Sequence, residues 1–522
     1  MKRCPNCRRD YYDDSLLYCL DDGNSLLEGP GSASGVRDEA ATAILGQVSP
    51  TPMSGETNTA VFRNVEDRSV AVLPFVNMSA DADNEYFCDG LAEDLLTELS
   101  KVGGLKVAAR TSSFSFKGQS IGISEIGEKL GVKTILEGSV RRSGNKLRIT
   151  AQLINAPDGY HLWSERYDRK FDDVFAIQDE ITGAIVDNLK VELLGQPDRS
   201  PVVLDAYNEV LKGRHCLSRR SGQDLLKGLS YFKRALEFDP DYAPAFAGLA
   251  DSYNLLGAGD YAVLKPSEAF PKAKDAATRA IAIDPSLANA HCALGWAATV
   301  YDWDLASGEQ YYLRSISLNP NYATAHQWYS MLLALRGDFD KAVAEIMTAK
   351  ELDPLSPIVN AEVAWVYYYA RRFDDAIYHC RQLLEFEPDF SVAHWNLGQS
   401  LREKEMLDEA IAEFERADEL AGGNDVFRAT LAHALGRAGR TPEALQILEE
   451  FLDRDPLQFV APHAMVLAYL GVGDSQKAVE WFERTFEQRS DFVIESVHNP
   501  IMDQIREHPR IREILRTIRF AK

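Results

Sequence analysis

The sequence predicts a multidomain chain in three parts: a short metal-held ribbon, an α/β domain, and an all-α superhelix. Three observations carry this. Three of the seven cysteines, Cys4, Cys7 and Cys19, fall within the first nineteen residues. Between residues 68 and 195, apolar runs of strand length alternate with segments of helical period. Pro320, Pro354, Pro388 and Pro456 are then spaced by 34, 34 and 68 residues, the last being twice 34.

Composition narrows the function classes. The chain has 522 residues, with 79 acidic and 56 basic side chains and a net charge of −23. Phosphate neutralisation needs a concentrated positive surface, so no nucleic-acid partner is expected. Hydrophobic residues make up 45 %, enough for packed cores. The richest apolar stretch, Val363–Tyr369, is too short to span a bilayer, and no signal core follows Met1. An odd, scattered set of cysteines points to a reducing, cytoplasmic compartment rather than a disulfide framework.

The first segment, residues 1–27, begins with Cys4-Pro5-Asn6-Cys7, a knuckle whose thiolates can approach one tetrahedral zinc. Cys19 offers a third thiolate, and Asp22, three residues later, an oxygen where a fourth cysteine would stand, with Asp21 the neighbouring candidate. The pattern resembles the short zinc ribbons at bacterial protein N-termini, which implies structural Zn held by Cys4, Cys7, Cys19 and Asp22. So short a piece cannot build a core unaided, and metal would be what folds it. Residues 28–67 shift to Gly, Ser, Pro and Thr without periodicity and are read as a flexible linker.

Order resumes with the apolar run Ser69–Asn77, a buried strand. A helix is expected over 84–102, a second strand over 105–109, and a short helix from a Ser124 cap to Leu130. Three strands follow at 134–142, 146–155 and 160–167, then a helix over 172–194. Residues 68–195 resemble the TolB amino-terminal-like domain in the order of these motifs. That resemblance implies an accessory or sensory module, often joined in bacteria to cyclase, kinase or winged-helix modules. Cys88 and Asp89, at a strand–helix corner, are the least implausible catalytic nucleus, but no histidine pairs with them in the sequence. No phosphate loop, dinucleotide fingerprint, nucleophile elbow or HExxH is found. The chain is read as no enzyme, with no catalytic residues.

Residues 200–490 carry the strongest signal. Ala342, Ala376, Ala410, Ala444 and Ala478 repeat the 34-residue period. Trp395, Leu397, Gly398, Ala410, Phe414 and Ala417 fill the motif of a tetratricopeptide repeat, and the segment resembles about eight such units. Gly398 and Ala410 are expected to be small where the two helices of a unit cross. A wider spacing in the second unit places extra residues between its helices, at 257–266. Residues 491–522 are read as a capping segment, with Ile511, Ile514, Leu515 and Ile518 on one face. The resemblance implies a superhelix whose concave face binds a protein or peptide partner. Trp296, Gln327, Trp365, Tyr368, Gln399 and Arg402 are the candidates for lining it. A non-enzymatic adaptor or scaffold is the first functional reading. The second is a regulatory or sensory component of a bacterial signalling or transcription-linked system.

Overall fold

The computed structural model describes residues 2–3, 10–11, 27–28, 68–79, 84–170, 173–189, 203–218, 222–258, 263–454 and 460–518. The chain divides into two compact units, Met1–Ala60 and Val61–Lys522. In the first, β1 (Lys2–Arg3), β2 (Asp10–Tyr11) and β3 (Leu27–Glu28) pair antiparallel in the order β2-β1-β3. The expected zinc ligands Cys4, Cys7, Cys19 and Asp22 lie outside the described residues, as do residues 29–67 of the expected linker.

The second unit opens with a mixed sheet: β4 (Ser69–Val72), β5 (Val76–Asn77), β6 (Lys106–Val107), β7 (Thr134–Ser143), β8 (Lys146–Asn155) and β9 (His161–Lys170). Its order is β6-β4-β7-β8-β9, with β5 beside β7. β6, β4 and β7 run parallel, while β7, β8 and β9 form an antiparallel meander. The single strand expected over 69–77 is two, because Pro74 has no N–H to give the ladder. β4 is buried along its whole length, which explains its continuous apolar sequence.

Helices α1 (Glu85–Ser100) and α4 (Val174–Leu189) cover one face through Phe87, Leu91, Leu95, Ile177 and Ile181. On the other, α2 (Arg110–Phe114) precedes α3 (Ile123–Leu130), whose Ile126 and Leu130 pack on Ala71 and Ile135. Helix α2 was not expected. Ser124 is not the cap of α3: Gly122 holds that place, and Ser124 lies in the first turn.

Eight antiparallel helix pairs follow among the described residues. They are α5 (Leu204–Ser218) with α6 (Gly222–Phe238), α7 (Ala243–Gly257) with α8 (Pro266–Ile283), α9 (Ala288–Val300) with α10 (Leu305–Leu318), and α11 (Ala323–Arg336) with α12 (Phe339–Leu352). Then come α13 (Pro357–Tyr369) with α14 (Phe373–Phe386), α15 (Ser391–Glu403) with α16 (Leu407–Ala421), α17 (Asp425–Arg437) with α18 (Thr441–Leu452), and α19 (Pro462–Gly471) with α20 (Ser475–Glu487). The five periodic alanines are fully buried in the second helices. At Gly398 the close approach is to Phe414 rather than Ala410: a Cβ there would stand 2.8 Å from the ring. The terminating prolines gain a second role. Their carbonyls accept from a side chain six residues on, Asn360 to Pro354 at 2.9 Å, with His326 and His394 beside Pro320 and Pro388 at 3.0 and 2.9 Å.

The α/β domain and the repeats are joined at three places. Tyr207 and Leu211 of α5 are buried in the α/β core beside α1. Asn321, after α10, accepts from Val107 N and donates to the carbonyls of Ser100 and Leu105. Asp353, after α12, accepts from both N and Oγ of Ser112 at 2.9 and 2.6 Å, and Leu355 packs against the α3 side of the sheet.

Candidate functional site

The first helices of the later repeats build the site. Helix α13 is apolar on nearly all sides, because it packs on its neighbours and also on a segment beyond the repeats. That segment comprises α21 (Phe492–Glu495), a 3-10 turn over Pro500–Gln504, and α22 (Pro509–Thr517). The capping face expected on α22 is present: Ile511, Ile514 and Ile518 are buried and Leu515 is half-buried. The stretch before it does more than cap, since Val493, Ile494 and Met502 are buried in the repeat core.

Polar side chains tie this segment across the first helices. Tyr368 Oη donates to Asn499 Oδ1 at 3.3 Å and accepts from Arg402 Nη2 at 2.9 Å. Asn499 Nδ2 donates to Tyr369 Oη at 3.1 Å. The Arg402 guanidinium is wholly buried, with Nε on Glu403 at 2.9 Å, so its charge is paired where solvent cannot reach it. Gln504 Nε2 lies 2.8 Å from His433 Nε2. Burial, with Arg402 and Arg437 nearby, holds the His433 imidazole well below its ordinary range, so it is neutral. Further along, Arg371 pairs with Asp503, His498 meets the Phe339 ring edge-on, and Phe486 stacks on Trp303 at 5.3 Å.

A cavity of about 40 Å³ lies between α13, α15, α17, α19 and this segment. Its buried floor holds Trp365, Tyr369, Gln399 and His463. Its half-buried rim holds Trp395, Val426, Asp491 and Glu495. Trp365 stacks on Tyr369 at 3.9 Å, and Trp395 stacks on Phe427 while donating to Thr430 Oγ1 at 3.2 Å. His463 stacks on Phe492 at 5.4 Å, and its buried Nδ1 has no hydrogen-bond partner. Burial holds the His463 imidazole below its ordinary value although Asp491 and Asp425 pull it upward.

Four of the six expected lining residues therefore meet here. Trp365 and Gln399 face the cavity, and Tyr368 and Arg402 form the network beside it. Trp296 lies on α9, tilted against Trp328 with ring centroids 4.8 Å apart, and Gln327 is buried in α11; neither lines the cavity. Sequence reasoning missed Tyr369, Trp395, His463 and the residues from Asp491 to Asn499. The apolar clusters Phe492–Ile494 and Ile501–Met502 were the available signal for the last of these. Cys88 is no nucleophile: it is fully buried, and burial, with Glu85 and Asp89 nearby, pushes its thiol up to about 12. Asp89 is held by Lys117 Nζ at 2.6 and 2.8 Å.

Comparison with known proteins gives three kinds of match. The family model described as the HilA/YgeH-like transcriptional regulator, second domain, matches residues 66–184, and two tetratricopeptide repeat models match residues 364–425 and 401–468. A Rhizobium meliloti (strain 1021) protein named "Putative adenylate cyclase 3" is 44 % identical over 187 residues, 35 % of this chain and 32 % of that protein. The chain thus spans about a third of the length of the curated relative it matches. This relative overturns the expectation that the chain is no enzyme, which is withdrawn. Among solved structures, a thermophilic tetratricopeptide protein of Thermus thermophilus, TTC0263, is 21 % identical, covering 38 % of this chain and 98 % of its own, at a TM-score of 0.33. Yeast Tom70 is 19 % identical, covering 62 % and 69 %, at 0.38. Among the described residues, no helix is long and apolar enough to cross a membrane. The chain carries tetratricopeptide repeats behind an α/β sheet domain.

Proposed function

We propose that this chain is a regulatory component that binds a protein partner on the inner face of its repeats and joins that event to its α/β domain. The observation that carries the reading is the aromatic and carboxylate-rimmed cavity set among the first helices of successive repeats, from α13 to α19. Repeat arrays offer such a face to extended partners, and here residues 491–505 already cross part of it, so the partner would dock beside them at the cavity. The α/β domain supplies the regulatory half. Support comes from its likeness to a transcriptional-regulator domain and from the stretch shared with a protein named as a cyclase. The TolB-like resemblance points to the same sensory role. A photo-reactive side chain at the cavity rim tests partner binding: an adduct is expected there and not on the outer helices.

The N-terminal segment we assign to structural zinc. Pairing of β1 with β2 supports this, because the connection between them carries Cys4 and Cys7 at knuckle spacing. Cys19 and Asp22 would complete the set, and the bound ion would fold the segment. Elemental analysis of the purified full chain should give close to one zinc per chain, falling in a Cys4→Ser, Cys7→Ser variant. A ratio well below one in the unmodified chain contradicts the assignment.

A further inference from the structure

We propose that the inner-face cavity is a recognition pocket for a lysine side chain of the protein partner. The inference rests on the reading that the inner face binds a protein, and it names the chemistry bound there. The rim presents two carboxylates, Asp491 and Glu495. An anionic group would meet repulsion at such a mouth. The floor holds the stacked rings of Trp365 and Tyr369, apolar surface against which the methylenes of a lysine stem can pack.

His463 supplies the second, independent observation. It is 6 % exposed, it lines the cavity, and its Nδ1 has no partner. We take the neutral ring to be protonated on Nε2, which makes that nitrogen an acceptor, and a buried acceptor left unpaired costs stability. An ammonium donor answers it, whereas an apolar side chain would leave it unpaired. Size selects among cations. A water-sized group needs about 10–15 Å³ of such space, so a cavity of about 40 Å³ admits roughly three: an ammonium and the two methylenes next to it. A planar guanidinium with four heavy atoms side by side is less well matched. The net charge of −23 favours approach of a basic segment.

The test uses the full chain and two capped peptides, acetyl-Gly-Gly-Lys-Gly-Gly-amide and the same peptide with norleucine, which keeps the stem and removes the charge. Calorimetric titration at fixed ionic strength should show the lysine peptide binding at least tenfold more tightly. Glu495→Gln combined with Asp491→Asn should weaken the lysine peptide at least tenfold and leave the norleucine peptide unchanged. Asparagine at 491 keeps the acceptor that caps α21 through Phe492 N, and an unchanged melting temperature checks the fold. Equal binding of the two peptides overturns the lysine assignment while leaving the inner face a peptide site. A tighter arginine peptide, or no binding of the lysine peptide at millimolar concentration, also overturns it. The broader reading is judged separately, by cross-linking from the rim.

Discussion

Glu405 sits in the left-handed region at φ 60°, and it belongs to a series that the residue types conceal. Positions 303, 337, 371, 405, 439 and 473, each 34 apart, all have positive φ between the first and second helix of a repeat. Glycine occupies three of them, at Gly337, Gly439 and Gly473, while Trp303, Arg371 and Glu405 occupy the others. A side chain with a Cβ pays a steric cost there that glycine escapes. Glu405→Gly should therefore raise the unfolding free energy by about 1 kcal/mol. The lost pair with Arg437 offsets little, because Glu405 is mostly exposed. Arg371→Gly should gain less, since Arg371 holds Asp503. Denaturant unfolding of both variants decides this, and a destabilised Glu405→Gly chain would contradict it. Sequence alone could not show the series, because half of its members are not glycine. The alanine and proline series were legible for the opposite reason: sterics at a helix crossing and at a helix end admit few residue types.

At the scale of the element, the repeats are held by first helices buried on several sides, and histidines go into that interior with them. Burial lowers His433 and His463 there, and on the second helix α14 it lowers the half-buried His379 from 6.5 to about 4, with Lys350 acting in the same direction. A histidine neutral in the fold contributes stability at pH above its ordinary value. As pH falls below 6.5 the unfolded chain takes protons that the folded one refuses, so that contribution is lost, for His379 between about 6.5 and 4. The repeat array should thus melt at lower temperature at pH 5 than at pH 7.5, and His379→Gln should reduce the difference. An unchanged difference in that variant would contradict the assignment. Helices of the array were legible from their 34-residue period. Helix α2 was not, because five residues centred on Thr111-Ser112-Ser113 carry no periodic signal, and what holds them is Asp353, far off in sequence.

Over the whole second unit, the α/β domain and the repeats are joined by α5 and by the turns after α10 and α12. Asp353 is buried and answers two donors of Ser112. Asp353→Ala should leave those donors unpaired and loosen the joint, speeding amide exchange in α2 and at the end of α1, with β8 and β9 unaffected. Uniform exchange across the domain would show that the joint does not depend on it. Neither this joint nor the return of residues 491–505 across the inner face was legible in the sequence. Both depend on polar contacts between residues more than a hundred apart, which no local pattern records.

The central claim is that a protein partner is bound on the inner face of the repeats. The most direct measurement places a benzophenone side chain at Val426, on the cavity rim, and separately at Tyr378, which is 59 % exposed on α14, a second helix. Both full-length chains are irradiated in native cells and their adducts identified by mass spectrometry. One dominant protein adduct is expected from position 426, absent from position 378. Adducts of equal yield from both positions, or from 378 alone, would contradict it.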